Sequence, residues 1–425
     1  MLFRSSLLSA WQTDDFDARQ RLETFLPSGR FLPTAFSPGG VFNDPQLGAQ
    51  TSPLGYSRIR RGSEQFSTEL RIQSSFDGPW NYNLGAIYVK YDTSGDLIFV
   101  NTGFNARAAQ LVGTGLYIDP LVDIDFTGHN YLDAREGYSL RSKAVFGELY
   151  WEPTDTLKLT AGLRYTDDQK SGVSYAPALL QPGRGLVANP DEHVDFQEFT
   201  GRFNAAWSPD LAFTDRALLY ASYSRGYKAG GLNPTSGGLG TVAPTFAPEF
   251  VNAFEAGAKT TLPGGDVQLN ATAFYYDYAG YQVAKVVGIS VANENLDAEI
   301  KGLEIETIYQ PFGGLRLNMN LGLLETRIKG GLSIDELNIT QGEASLVSIK
   351  NSNGLNCAVN TSAFAGVIAG VNAGAIPIGA LLGACTGAFA SRGVVVSDGI
   401  AANLKDKELP DSPKYTVSFG AEYRF

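Results

Sequence analysis

The stretch Thr156-Leu157-Lys158-Leu159-Thr160-Ala161-Gly162-Leu163-Arg164-Tyr165-Thr166 alternates polar and apolar residues along its length. Successive side chains of a strand point to opposite faces, so the segment carries one oily surface and one wet surface. Four other runs repeat the pattern. Val267, Leu269, Ala271, Ala273 and Tyr275 oppose Gln268, Asn270 and Thr272; Leu315, Leu317, Met319, Leu321 and Leu323 oppose Arg316, Asn318, Asn320 and Gly322. Phe199, Phe203, Ala205 and Trp207 oppose Thr200, Arg202 and Asn204; Tyr415, Val417, Phe419, Ala421, Tyr423 and Phe425 oppose Thr416, Ser418, Glu422 and Arg424. Strands of soluble sandwiches commonly run about five or six residues. These runs are roughly twice as long, which is the span a tilted strand needs to cross hydrocarbon.

The connections carry a second alternation. The pattern predicts twelve strands, at 2–14, 63–76, 79–92, 138–152, 156–170, 196–208, 216–228, 250–262, 265–283, 298–311, 313–328 and 413–425. Short links contain Asp77-Gly78-Pro79, Pro153-Thr154-Asp155, Ser208-Pro209-Asp210, Pro263-Gly264-Gly265 and Pro311-Phe312-Gly313-Gly314. In such turns Pro fixes φ, Gly admits positive φ and Asp bonds its own backbone. Long loops at 15–62, 93–137, 171–195, 229–249, 284–297 and 329–412 take turns with them. Trp80, Trp151 and Trp207 each lie close to a short turn, as an interfacial aromatic belt requires. The expected fold is all-β: an antiparallel up-and-down transmembrane β-barrel with long extracellular loops, about twelve strands of it in this chain, open or incomplete.

Composition agrees. The chain has 425 residues, 48 of them Gly, with 12% aromatic and 18% charged residues. A barrel needs no apolar helical span, because half of each strand is polar. The net charge of -11 argues against a nucleic-acid partner. Cys357 and Cys385 share the last long loop, where an oxidising exterior favours a disulfide over two buried thiols. The apolar segment Phe364 to Phe389 is long enough to suggest a membrane helix, but recurrent Gly and Pro377 argue for an apolar, partly helical loop over the barrel mouth. Met1 to Ala10 is too short for a secretory signal and reads as a strand.

Several stretches resemble the barrel domain of TonB-dependent outer-membrane receptors. They are Phe146-Gly-Glu-Leu-Tyr-Trp-Glu-Pro-Thr-Asp-Thr-Leu-Lys-Leu-Thr-Ala-Gly-Leu-Arg-Tyr165, Leu219-Tyr-Ala-Ser-Tyr-Ser-Arg-Gly-Tyr-Lys-Ala-Gly-Gly231 and Pro248-Glu-Phe-Val-Asn-Ala-Phe-Glu-Ala-Gly-Ala-Lys259. Phe274-Tyr-Tyr-Asp-Tyr278, Gly302-Leu-Glu-Ile-Glu306, Glu69-Leu-Arg-Ile-Gln-Ser74 and Ser412-Pro-Lys-Tyr415 fit as well. The resemblance implies a bacterial outer-membrane receptor for energised uptake of a scarce nutrient: a siderophore-like chelate, a vitamin or a carbohydrate. In that family a plug fills the lumen, and a short plug segment contacts the TonB complex. Neither plug nor contact segment is recognisable here, and the family barrel has about 22 strands, so the chain reads as a central piece of a receptor. The partners implied are outer-membrane lipid, a small extracellular ligand and, for the full-length family, TonB. The alternatives are a stand-alone twelve-stranded channel or translocator, which would pair its first and last strands, and an outer-membrane phospholipase.

No enzyme motif is evident: there is no G-x-S-x-G elbow, P-loop or zinc spacing, and His129 and His193 both fall in expected loops. No cofactor is expected. Small carboxylate groups at Asp14, Asp15 and Asp17 and at Asp123 and Asp125 are candidate Ca²⁺ ligands, although solvated acidic loops are commoner. The better functional candidates are wall residues expected to face the lumen: Arg164, Arg202, Asn204, Asn270, Glu304, Glu306, Arg316, Asn318 and Asn320. The resemblance implies that such residues hold the plug; otherwise they are a water-facing wall. Ligand contacts are expected from loops, with Arg60, Arg61, Tyr117 and Arg135 as candidates.

Overall fold

The computed structural model describes residues 2–21, 29–34, 37–44, 48–102, 132–174, 178–179, 191–233, 243–287, 290–350 and 356–425. Twelve long antiparallel strands follow one another in chain order through one sheet. They are β1 (Leu2–Arg21), β2 (Gly55–Ser75), β3 (Trp80–Asn101), β4 (Leu132–Thr154), β5 (Leu157–Ser174) and β6 (Glu192–Trp207). The series continues with β7 (Arg216–Lys228), β8 (Glu249–Thr261), β9 (Val267–Val287), β10 (Ser290–Phe312), β11 (Leu315–Gly330) and β12 (Tyr415–Tyr423). Each strand pairs with its sequence neighbours. Among the described residues β1 and β12 do not pair with each other, so the sheet path stays open.

The short turns knit one rim. Asn81 clamps the β2–β3 turn, its Oδ1 accepting from the Phe76 N–H and the Ser74 hydroxyl, both at 2.8 Å. Gly264 (φ 90°) and Gly265 (φ 78°) make the β8–β9 turn, where the Gly264 N–H donates to Asp215 Oδ2 at 3.0 Å. At the other rim the strands outrun the alternation that revealed them. β1 continues to Arg21 and β2 starts at Gly55, inside the expected loop 15–62. β3 reaches Asn101 and β4 starts at Leu132, inside 93–137; β5 reaches Ser174 and β6 starts at Glu192, inside 171–195. The expected loop 284–297 is almost wholly strand, with β9 ending at Val287 and β10 starting at Ser290. The cause is solvent. Above the lipid the faces meet water or, as at Val287, Ala292 and Leu296, become buried, so the period-two signal vanishes while the main-chain ladder continues.

Register separates two faces. Trp80 lies opposite Trp151, Trp151 opposite Leu159, and Trp207 opposite both Leu157 and Leu219. Apolar side chains on this face are exposed: Leu163 60%, Phe203 48%, Met319 44%, Phe419 70%. A sheet with its largest apolar side chains turned outward is stable only with an apolar solvent against them.

The apolar segment 364–389 is partly helical, as expected, and belongs to a folded module with its own core. Leu332–Ile334 pairs with Ala401–Asn403, and Leu346–Lys350, Asn356–Asn360 and Val396–Ser397 form a small sheet. Against that sheet pack α1 (Thr361–Asn372) and the 3-10 segment Ile378–Thr386. Cys357, Val359 and Val367 are fully buried. Among the described residues no helix is long and apolar enough to cross a membrane.

Replacing Leu84, midway along the apolar face of β3, with Arg should destabilise the folded protein by about 2–4 kcal/mol. Thr200→Gln on the opposite face should change stability by no more than about 0.5 kcal/mol. Denaturant titration of tryptophan fluorescence in lipid vesicles measures both.

Candidate functional site

The polar face is built strand by strand. Arg164 lies opposite Thr200; Arg202 and Asn204 follow on that strand, and Asn204 lies opposite Ser222. Ser222 leads to Glu255, Glu255 to Phe274, and Phe274 to Gly302. Asn270 lies opposite Glu306, Glu304 opposite Thr272, and Glu306 opposite Asn320. Asn318 and Arg316 follow, Arg316 opposite Glu422. The structure therefore gathers all nine wall residues on one face, the one opposite Trp80, Trp151 and Trp207.

Contacts on this face are polar and mostly cross-strand. Arg202 Nη2 is 2.7 Å from Glu148 Oε1, and the Tyr150 hydroxyl donates to Glu148 Oε2 at 2.5 Å. Asn270 Nδ2 donates to Glu306 Oε2 at 3.3 Å, and Asn320 Nδ2 to Ser418 Oγ at 3.1 Å. Arg164 donates to Thr166 Oγ1 at 3.0 Å. The Phe146 ring lies between Arg71 and Arg164, each guanidinium 5.7 Å from its centroid. A glycine beneath makes that ring position possible: a Cβ on Gly85 would stand 2.3 Å from Phe146 Cζ.

Toward the long-loop rim this face opens into a cavity of about 340 Å³ lined by Arg61, Tyr91, Glu136, Tyr138, Glu192, Leu232 and Asn233, among others. Its roof comes from the segment after β7. Asn233, only 3% exposed, donates to the carbonyls of Ala243 (3.0 Å) and Asn293 (2.9 Å) and accepts from the Asn293 N–H at 2.7 Å. Gln282 Nε2 donates to the Ala229 and Ala247 carbonyls at 3.1 and 3.2 Å, tying both ends of that segment to β9. Leu232 then rests over Gly172, where a Cβ would lie 2.6 Å from Leu232 Cδ1. Sequence reasoning missed this roof, because nothing in the Gly-rich stretch after β7 marks Asn233 as an anchor.

The ligand candidates separate. Arg61 lines the cavity. Arg60 points to the other face, its Nη2 2.6 Å from Asp96 Oδ2, because neighbouring residues of a strand diverge. Both arginines lie in β2, not in a loop. Tyr117 and the Arg135 side chain lie outside the described residues, as do Asp123, Asp125 and His129. His193 lies in β6, not in a loop, 3.1 Å from Asp195 Oδ1. Asp14, Asp15 and Asp17 do not converge on an ion: all three lie in β1, so alternation sends Asp14 away from the other two, and Asp17 is held by Arg58 at 2.6 Å.

In the loop module Cys357 and Cys385 are bonded, with Cα atoms 5.8 Å apart. The bond links the small sheet to the 3-10 segment and closes 28 residues. The module's ends meet, with the Leu404 N–H on the Gly331 carbonyl at 3.0 Å. Ser333 fastens this stalk to the β9–β10 hairpin, donating to Glu294 Oε2 at 2.7 Å and lying 3.3 Å from Lys285 Nζ. Glu343, exposed at the module's edge, accepts the Ser345 N–H at 3.0 Å, which holds its carboxyl below the usual range.

Long strands apolar on one face and hydrated on the other, with tight turns at one rim and folded loops at the other, define an outer-membrane β-barrel wall. The chain belongs to the family described as TonB dependent receptor-like, beta-barrel, whose profile matches residues 5–425. This is a family of outer-membrane transport receptors. A pesticin receptor of Yersinia enterocolitica is 25% identical over 193 residues, covering 45% of this chain and 27% of the relative. The ferric yersiniabactin uptake receptor FyuA of Yersinia pestis superposes with a TM-score of 0.53 at 17% identity, covering 84% of this chain and 47% of that one. The siderophore receptor PiuA of Acinetobacter baumannii gives a TM-score of 0.49 at 16% identity, covering 87% and 50%. The chain thus spans about half the length of these solved receptors and about a quarter of the pesticin receptor.

Two measurements check the site. Asn233→Ala should cost the roof about 1–3 kcal/mol, since it leaves the Asn293 N–H and two carbonyls unpartnered. Hydrogen exchange at Asn293 should quicken by about tenfold or more, while β5 amides stay unchanged. Replacing Cys357 and Cys385 with Ala should destabilise the module by about 3 kcal/mol in the chain-entropy model. Faster exchange confined to the module in the double variant, together with two extra alkylation masses only after reduction of the parent protein, is the expected result.

Proposed function

We propose that this chain forms part of the wall of an outer-membrane receptor that takes up a scarce iron chelate of the siderophore class, with transport energised through TonB. Family membership supports the class. One feature of the sheet favours this reading over a stand-alone channel: β1 and β12 stay apart among the described residues. A twelve-stranded pore needs that ladder closed, because lipid offers unpaired main-chain groups no partner. The ferric yersiniabactin uptake receptor, by its name, takes up a ferric ligand, which supports an iron chelate as the class here.

In this reading the face bearing Arg164, Arg202, Asn204, Asn270, Glu304, Glu306, Arg316, Asn318 and Asn320 is the lumen wall. Its side chains offer a plug both charges and amide donors, and its cross-strand pairs keep the wall satisfied when no plug contact is made. Trp80, Trp151 and Trp207 form an aromatic belt at the periplasmic headgroups. The cavity under Asn233 and Leu232 opens on the extracellular side, where Arg61, Tyr91 and Tyr138 would meet a ligand before it passes the wall. The Cys357–Cys385 bond staples an extracellular loop.

Deleting the gene that encodes this chain from its host tests the proposal. Radio-iron uptake from a panel of ferric siderophores should fall about tenfold or more for at least one chelate, and a protonophore should abolish the same uptake in the parent strain. Uptake that ignores the protonophore and rises linearly with ligand concentration would support the passive channel instead.

A further inference from the structure

One grouping of residues occurs twice on the polar face, closed in one place and open in the other. Lower on the wall, Glu148 on β4 and Arg202 on β6 flank Gly162 of β5. With no side chain between them they meet over the glycine, Arg202 Nη2 lying 2.7 Å from Glu148 Oε1. A Cβ on Gly162 would stand 3.2 Å from Glu148 Cγ and 3.4 Å from Arg202 Cγ. Tyr150, two residues along β4, donates to the other carboxylate oxygen of Glu148.

The grouping recurs at the cavity. Arg61 on β2 and Glu136 on β4 flank Gly95 of β3. Their stems also lean over the glycine: a Cβ on Gly95 would stand 3.4 Å from Arg61 Cγ and 3.8 Å from Glu136 Cγ. Tyr138 follows Glu136 as Tyr150 follows Glu148. Among the described residues, however, no ion pair joins Arg61 to Glu136, and no hydrogen bond joins Tyr138 to Glu136. Both charged side chains are exposed. Glu192, half-buried and opposite Gly172, lines the same cavity and is likewise unpaired among the described residues. On the other face of the same strands Arg60 and Asp96, directly opposite each other, close at 2.6 Å.

We infer, on the reading of this chain as a chelate receptor, that Arg61 and Glu136 receive an amino-acid head carried at the edge of the chelate, a carboxylate and an ammonium on one carbon. The guanidinium takes the carboxylate with two parallel N–H donors, and Glu136 accepts from the ammonium. Tyr91 and Tyr138, with ring centroids 6.4 Å apart, offer the ammonium their π faces, and Glu192 adds a second carboxylate to the cavity. An exposed Arg–Glu pair in water contributes little, so leaving it open costs little. The roof at Leu232 withdraws water from the cavity, and the same charges then act on a ligand more strongly. A head that lacks either charge leaves a protein charge unpaired in that space, which is the basis of selection.

Three ferric chelates test the assignment. Each is a linear trihydroxamate loaded with Fe³⁺ and capped at one end with an α-amino acid, whose head is free, N-acetylated or methyl-esterified. Binding to the full chain in detergent micelles is measured by calorimetric titration. The free head should bind about tenfold or more tightly than either blocked form. Glu136→Gln should weaken the free head and the ester about tenfold and leave the acetylated form within about twofold. Arg61→Gln should weaken the free head and the acetylated form about tenfold and leave the ester within about twofold. Equal binding of the three forms by the parent protein, or binding of none, would overturn the assignment, while the receptor reading still stands or falls on uptake in the deletion strain. A free amino acid that competes as well as the capped chelate would overturn the chelate as carrier of the head. Selective binding of the free head with unaltered iron uptake in the deletion strain would uphold the head site and overturn the receptor reading. If either variant fails to fold, the parent's three-form comparison decides alone.

Discussion

A main chain inside hydrocarbon has no water to bond, so every N–H and C=O of a spanning segment must find its partner within the protein. In this chain the constraint is met by antiparallel ladders between neighbours in sequence, strand after strand. The rest follows from that choice. Side chains are free to differ by face, so one side carries Leu, Phe and Met outward and the other carries Arg, Glu and Asn. Glycine becomes a tool for packing: Gly85 lets Phe146 lie flat on the wall with an arginine on either side.

The sequence made the twelve strands visible because a period of two is written only where the two faces meet different solvents. The run Leu157 to Tyr165 is legible for that reason. The upper halves of the strands are not: β9 and β10 run on to Val287 and from Ser290 in a stretch where water and folded loops replace lipid, with Val287, Ala292 and Leu296 buried. The same loss of signal makes Arg60, Arg61 and His193 read as loop residues, whereas alternation within a strand sends Arg60 to Asp96 and Arg61 to the cavity. Asp14, Asp15 and Asp17 looked like a cluster on paper and were dispersed by the strand they sit in.

The site was less legible than the wall. The nine polar wall residues could be chosen from alternation alone, because each lies in a spanning run. The roof over the cavity could not. Asn233 acts through Ala243 and Asn293, the latter on another strand, and nothing in a Gly-rich stretch specifies that meeting. The module over residues 331–404 shows the opposite case. Its apolar composition was plain, yet it read as a cover for something else. Its apolar residues in fact cover one another, around Val359 and Val367, with the cysteine pair fixing the arrangement.

That module begins and ends at one point, where Leu404 returns to Gly331. A compact body hung from a two-stranded stem transmits little of its shape to the wall below. Lineages can therefore swap, enlarge or erode such an appendage without retuning the barrel. In the proposed receptor, immune or phage pressure on the cell surface would be absorbed there first, and a foreign epitope grafted between those two residues would inherit a ready-made stem.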